Sequence, residues 1–118
     1  MVVYCPDQLG PAVSRLLPAS VDQLGYPALT APQRVDWVDY AQRNTAARPQ
    51  SIAREVSARA GGRVLLVLSP RYLTFGTQCE EVAATLASLR GPGSVVVQQD
   101  VRYFESETVM MFPVRPAD

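Results

Sequence analysis

The sequence GGRVLLVLSP at positions 61–70 contains the strand that decides the fold. Its aliphatic residues at 64–68 form an unbroken run between Gly-Gly and Ser-Pro, which is typical of a central strand covered on both faces. A helix is predicted on each side of it along the chain, from Pro49 to about Ala60 and from about Cys79 to Arg90. The middle of the chain therefore predicts a helix, a central strand and a second helix.

Shorter apolar runs predict the outer strands. Positions 2–5 form the first strand, and the more polar positions 22–26 form a strand at a sheet edge. Positions 94–100 and 108–114 form the last two, and the final one is predicted to be antiparallel if the turn before it is short. This alternation predicts one α/β domain over residues 1–118, a small Rossmann-like three-layer sandwich with a mostly parallel sheet of about five strands and right-handed crossovers.

A further helix is predicted at positions 8–17, after the first strand, with Asp7 as its N-cap. Three of its residues have the spacing of a buried helix face, namely Val13, Leu16 and Leu17. Trp37 and Tyr40, in a helical turn farther along the chain, are predicted to cover the core. These side chains would close the apolar layers around the sheet.

Charge and composition exclude several classes of function. The eleven basic residues, all arginine, equal the eleven acidic residues, so no net positive charge attracts nucleic acid. The chain has no histidine, which removes Ser-His-Asp and Cys-His catalysis and the commonest metal ligand. Gly10 and Gly76 belong to no phosphate-binding motif, and neither a cofactor nor a metal is predicted. The longest aliphatic run, at 64–68, is too short to cross a bilayer.

The two cysteines are predicted to form a disulfide. Cys5 ends the first strand and Cys79 begins the helix after the central strand, and in a doubly wound sheet both places lie above the carboxyl ends of the strands. A disulfide there implies an oxidising compartment, which for a bacterial protein lies outside the inner membrane. The alternative is two unpaired cysteines, one buried and one exposed at a helix start with a lowered pKa.

The carboxyl ends of the strands are also where an open α/β sheet has its natural cleft. The loops CPDQ at 5–8 and SPRYLTFGT at 69–77 reach this edge, and their carboxylate, amide, guanidinium and aromatic groups suit a sugar. The predicted glycan-binding residues are Asp7, Gln8, Ser69, Arg71, Tyr72 and Thr74. In a purely structural alternative, Asp7 caps its helix, Arg71 pairs with a nearby carboxylate, and Tyr72 covers the core together with Phe75.

Three segments carry a family resemblance: VVYCPDQLGPAVSRLL at 2–17, RVDWVDYAQRN at 34–44 and LVLSPRYLTFGTQCEEVAATL at 66–86. They resemble the C-terminal soluble tail of actinobacterial multi-pass membrane glycosyltransferases of the GT-C type, mannosyltransferase-like enzymes. The resemblance implies a parent protein with many membrane helices, a polyprenyl-phosphate sugar donor and a tail on the extracytoplasmic, periplasmic side. It also places catalysis in the membrane portion, so no residue of this chain is given a catalytic role.

Three functional hypotheses follow. The first is a non-catalytic extracytoplasmic domain, cut from a longer protein just after its last membrane helix, with the transmembrane portion of the parent and a cell-envelope glycan as expected partners. The second is a small stand-alone α/β redox or thiol enzyme that uses Cys79. The third is a structural assembly module with neither ligand nor chemistry.

Overall fold

The computed structural model describes residues 1–117, which form five strands and four α-helices. The strands are β1 (Val2–Cys5), β2 (Gln23–Gly25), β3 (Val64–Leu68), β4 (Ser94–Val97) and β5 (Thr108–Phe112). The helices are α1 (Gly10–Ser14), α2 (Tyr40–Thr45), α3 (Pro49–Arg59) and α4 (Gln78–Arg90), and a 3₁₀ turn at Asp7–Leu9 precedes α1. None of the helices within residues 1–117 has both the length and the apolar composition of a membrane-spanning segment.

The strands form one mixed sheet in the order β2-β1-β3-β5-β4. β1 pairs in parallel with β2 and β3, whereas β5 is antiparallel to both of its neighbours, β3 and β4. The prediction of an α/β fold with five strands, the VLLVL strand at the centre and an antiparallel last strand is confirmed. The position of β5 between β3 and β4 is not evident from the sequence.

Alternate residues of the sheet face two apolar clusters. On one face Val3 and Leu66 pack with Val56 of α3 and Val82 of α4. On the other face Tyr4 and Val67 pack with Leu9 of the 3₁₀ turn, and Val13 and Leu17 lie against the same cluster. Helices α3 and α4 therefore cover one face, while the 3₁₀ turn and α1 cover part of the other.

The helix predicted at 8–17 is shorter than expected. The chain forms the 3₁₀ turn first, with Pro6 rather than Asp7 before it, and α1 begins at Gly10 because Pro11 is tolerated only in a first turn. Since α1 ends at Ser14, Leu16 lies beyond the helix, where the helical spacing no longer directs it inward. The prediction that Leu16 is buried is wrong, because the residue is 77 % exposed.

Trp37 also differs from its prediction. It is 63 % exposed and does not cover the core. Tyr40 takes that place, with its ring centroid 5.9 Å from that of Phe75, and Trp37 packs against Tyr40 at 4.9 Å. Trp37 precedes α2, whereas Tyr40 begins it, so the helix brings only the second aromatic side chain against the core.

Candidate functional site

A cleft of about 460 Å³ opens at the edge of the sheet where β3 ends and β5 begins. Because β3 and β5 are antiparallel, Leu68 at the end of β3 pairs with Thr108 at the start of β5. The loop 69–77 and the loop 98–107 therefore lie side by side. This opening, the edge cleft, is lined by residues 69–74 together with Gln8, Phe104 and Glu105.

The edge cleft brings together most of the residues assigned to a glycan site from the sequence. Those that line it are Gln8, Ser69, Arg71, Tyr72 and Thr74. Asp7 is not part of the lining, and its Oδ1 atom accepts a 2.8 Å hydrogen bond from the Tyr40 hydroxyl. Burial raises the pKa of Asp7, and the hydrogen bond from Tyr40 opposes this rise. Asp7 thus anchors α2 to the end of β1 instead of facing the cleft.

Tyr72 and Gln8 connect the two loops that follow β3 and β1. The Tyr72 hydroxyl donates a hydrogen bond to Gln8 Oε1, and the Tyr72 ring lies edge-on to Phe75 with 6.4 Å between centroids. Burial raises the pKa of Tyr72, helped by the carboxylates of Glu105 and Asp7, so the phenol remains protonated near neutral pH. Tyr72 therefore packs against the core, as the structural alternative expects, and also forms part of the cleft wall.

Arg71 has a backbone φ of 53°, in the left-handed region that disfavours a side chain by about 1 kcal/mol or more. Its backbone N–H donates a 3.0 Å hydrogen bond to Glu80 Oε1 in the first turn of α4, which holds this conformation. The guanidinium itself takes part in none of the ion pairs found within residues 1–117. Glu80 thus binds the backbone of Arg71, and the side-chain charge remains available to a ligand.

The loop 98–107 contributes Phe104 and Glu105, which sequence reasoning did not assign to the site. Phe104 is 104 % exposed and Leu73, on the opposite loop, is 97 % exposed. Burial raises the pKa of Glu107, and repulsion from the Glu105 carboxylate raises it further. Glu105 therefore brings negative charge to this side of the cleft. The only signal in the sequence for these two residues is the polar and aromatic turn RYFESE at 102–107. The position of this turn beside the cleft depends on the pairing of β5 with β3.

The disulfide joins the end of β1 to the first turn of α4. Cys5 precedes the loop that carries Gln8, and Cys79 precedes Glu80 in α4. Cys5 and Cys79 are bonded, with 5.6 Å between their Cα atoms, and both are buried. The predicted disulfide is confirmed, and the alternative of two unpaired cysteines is wrong. Close by, the Tyr26 hydroxyl donates to Gln78 Oε1, and Gln78 Nε2 donates to the Asn44 carbonyl oxygen at 3.0 Å.

A second, more open cavity of about 560 Å³ lies beside α2. Its charged residues include Asp36 and Arg43, which form an ion pair at 3.4 Å and so neutralise one another. Among residues 1–117, no group of three or more His, Cys, Asp or Glu side chains is placed to hold a metal ion. The edge cleft is therefore the stronger candidate for a binding site.

The chemistry of the edge cleft suits a polar, uncharged ligand with several hydroxyl groups. A guanidinium donates hydrogen bonds and a carboxylate accepts them, while the Gln8 amide and the hydroxyls of Ser69 and Thr74 can do both. An aromatic ring beside such groups offers an apolar surface to the C–H face of a sugar. Comparisons with protein-family models, with curated proteins and with solved structures find no match.

Proposed function

We propose that this chain is a non-catalytic glycan-binding domain and that the edge cleft is its binding site. The observation that carries the proposal is the convergence of Gln8, Arg71, Tyr72 and Glu105 from three separate loops on one opening. The volume of about 460 Å³ is within the usual range of small-ligand sites, roughly 300–1,000 Å³. The Arg71 guanidinium, which forms no ion pair within residues 1–117, and the Glu105 carboxylate would bind hydroxyl groups of the sugar. Tyr72 would supply the apolar wall.

The parent protein in this proposal is a membrane glycosyltransferase that uses a polyprenyl-phosphate sugar, with this chain as its extracytoplasmic C-terminal domain. Two observations support it: the resemblance of the three sequence segments, and the buried disulfide, which is typical of oxidising compartments. A Rossmann-like architecture belongs to the same proposal, and the parallel pairing of β1 with β2 and β3 supports it. The partners would be the transmembrane portion of the parent and a cell-envelope acceptor glycan.

The thiol-enzyme alternative receives no support from the geometry. Cys79 is 1 % exposed and bonded to Cys5, so it has no thiolate to offer a substrate. A purely structural assembly role remains as the outcome expected if the edge cleft binds no glycan.

The test is an NMR titration of the isotopically labelled chain with manno-oligosaccharides and with other cell-envelope oligosaccharides. We expect backbone shifts to cluster at Gln8, residues 69–74 and residues 104–105. R71Q should weaken binding about tenfold, because a hydrogen bond to a charged donor contributes about 1.5 kcal/mol or more. The matched control is R63Q, which changes an exposed arginine at the opposite end of β3.

Three results would contradict the proposal. They are no shift with any of these oligosaccharides at millimolar concentration, shifts that cluster away from the edge cleft, and equal weakening by R71Q and R63Q. The first result would leave the assembly role as the remaining function.

A further inference from the structure

Residues 36–47, which contain α2, are held together by contacts of their own. The Arg43 guanidinium pairs with the Asp36 carboxylate at 3.4 Å and donates to the carbonyl oxygen of the same residue at 2.7 Å. The chain is neither helix nor strand on either side of this unit, at 33–35 and at Arg48. Backbone rotation at such segments can move the unit without disturbing the sheet. We call residues 36–47 the flap.

The flap is fastened to the rest of the molecule by hydrogen bonds at two places and by a narrow apolar contact. The Tyr40 hydroxyl donates to Asp7 Oδ1 at 2.8 Å, and Gln78 Nε2 of α4 donates to the Asn44 carbonyl oxygen at 3.0 Å. Tyr40 and Ala47 also pack against the apolar cluster between the sheet and helices α3 and α4. The opposite side of α2 is exposed to solvent.

Asn44 is a buried polar side chain on the inner side of the flap. It follows Tyr40 by one helical turn, so both side chains point toward the body of the molecule. Asn44 is only 1 % exposed, and neither its Oδ1 nor its Nδ2 atom has a hydrogen-bond partner among residues 1–117. Both atoms have lost their hydrogen bonds to water without replacement, which destabilises the closed position of the flap. This destabilisation is relieved when the flap opens and Asn44 meets solvent.

Opening of the flap would also reach the edge cleft. The bond from Tyr40 holds Asp7, and Asp7 immediately precedes Gln8, which lines the cleft. Release of Tyr40 would therefore free the segment that carries Gln8.

From these observations we propose that residues 36–47 form a flap that opens by local unfolding while the sheet and helices α3 and α4 stay folded, and that the Asn44 amide lowers the free energy of opening. A helix of six residues is too short to persist without packing, so α2 unwinds when it is released and its amides exchange with solvent. The proposal requires no ligand and is independent of the glycan proposal.

The experiment is native-state amide hydrogen exchange of the full 118-residue chain, followed by NMR at low urea concentrations. The amides of Arg43 and Ala47 are hydrogen-bonded inside the flap, to the carbonyl oxygens of Asp39 and Asn44. We expect their protection factors to be at least about tenfold lower than those of β3. They should also depend little on urea, because opening of the flap exposes much less surface than global unfolding.

The variant N44L tests the role of the amide, since it replaces the amide with an apolar side chain of similar size. We expect it to raise the protection factors of the flap amides by about tenfold or more, because it removes two buried groups that have no partner. Leucine is also the better helix former. The matched control T45L makes a similar gain in helix propensity at an exposed position of α2, and should change these protection factors by less than about threefold.

A second pair of variants covers a leucine that does not fit at position 44. N44A removes the same amide without adding volume, and it should raise the protection factors of the flap amides more than T45A does.

Two results would overturn the proposal. One is exchange of Arg43 and Ala47 only through global unfolding, with the protection factors and the urea dependence of β3. The other is that N44L and N44A both leave the protection factors unchanged or lower them, since Asn44 would then hold the flap closed, as it would through a bound water molecule. Because no sugar is present, neither result bears on whether the edge cleft binds a glycan.

Discussion

Arg90 is a buried cation that binds backbone carbonyl groups instead of a carboxylate. The residue is only 1 % exposed. Its guanidinium donates to the carbonyl oxygens of Ser57 at 3.0 Å, Ala60 at 3.4 Å and Pro113 at 2.9 Å, and also to that of Gly62. The first two belong to the last turn and C-cap of α3, where unpaired carbonyls and the helix dipole favour a positive charge.

We expect R90K to destabilise the fold by about 2–4 kcal/mol. Lysine keeps the charge, but one ammonium group cannot reach acceptors that the planar guanidinium spans, so several buried carbonyls would lose their donor. Urea unfolding of the purified variant measures the loss. The control R54K changes an exposed arginine of α3 and should stay within about 0.5 kcal/mol of the wild type. Equal stability of R90K and R54K would contradict the assigned role.

Asp7 gives the stability a defined dependence on pH. Burial raises its pKa in the folded state above the ordinary value of 3.8, so its stabilising contribution is fully present below pH 3.8 and is lost as the pH rises through the higher, folded-state pKa. D7N keeps an oxygen for the Tyr40 hydroxyl and removes the charge. The free energy of unfolding of D7N should therefore increase relative to that of the wild type as the pH rises from about 3 to 7.

Urea unfolding of D7N and the wild type across this pH range measures the difference. D22N, which changes an exposed aspartate, serves as the control for the loss of one negative charge. A difference between D7N and the wild type that stays constant, or that falls as the pH rises, would show that burial does not govern the ionisation of Asp7.

At the scale of elements, α1 is fixed by a close approach that only glycine permits. A Cβ atom at Gly10 would lie 2.7 Å from the Pro32 carbonyl oxygen and 2.8 Å from Pro32 Cβ. We expect G10A to destabilise the fold by about 1–3 kcal/mol, although alanine is the better helix former. G61A is the matched control, since a Cβ there meets nothing within 4 Å, and it should leave thermal unfolding nearly unchanged or slightly improved. Identical melting of G10A and wild type would contradict this packing.

Elements with long, continuous apolar patterns were predictable from the sequence. The VLLVL run of β3 and the helices α3 and α4 lie within a residue or two of their expected limits, because Pro49, Gly61-Gly62 and Gly91 mark the helix ends. Short elements were less predictable. Leu16 has the right spacing for a buried face, but in a helix of five residues the chain leaves the helix before reaching it.

Only the part of the site that follows parallel strands was predictable from the sequence. Gln8 and residues 69–74 follow parallel strands, and the rule that parallel strands end at one edge places them together. Phe104 and Glu105 precede an antiparallel strand whose neighbour is chosen by packing. Both SVVV and TVMMF are apolar, yet β4 is exposed at the edge while β5 pairs on both sides. Nothing local in either segment determines that choice.

At the scale of the whole molecule, the disulfide connects two of the three parts of the chain that build the site. Cys5 and Cys79 are 74 positions apart, and the closed loop runs from the last residue of β1 to the first turn of α4 and contains β2, β3 and the first three helices. Residues 1–4, which include most of β1, lie outside it, as do the remainder of α4, β4 and β5. Cross-linking a loop of this length restricts the unfolded chain strongly, which on the chain-entropy model stabilises the fold by about 4 kcal/mol.

We therefore expect C5A/C79A to lose about 4 kcal/mol of unfolding free energy and to show a steeper dependence of that free energy on urea concentration. The steeper slope follows because an unfolded chain without the cross-link exposes more surface. Urea unfolding of both proteins without reductant gives the unfolding free energy and its dependence on urea concentration. The same measurement on wild type that has been unfolded and refolded in reductant removes the bond but keeps the buried sulfur atoms, so it separates the two effects. A single variant, C5A, is unsuitable as a control because it leaves a free thiol at Cys79. If the double variant matched the oxidised wild type in both stability and slope, the bond would contribute no restraint on the unfolded chain.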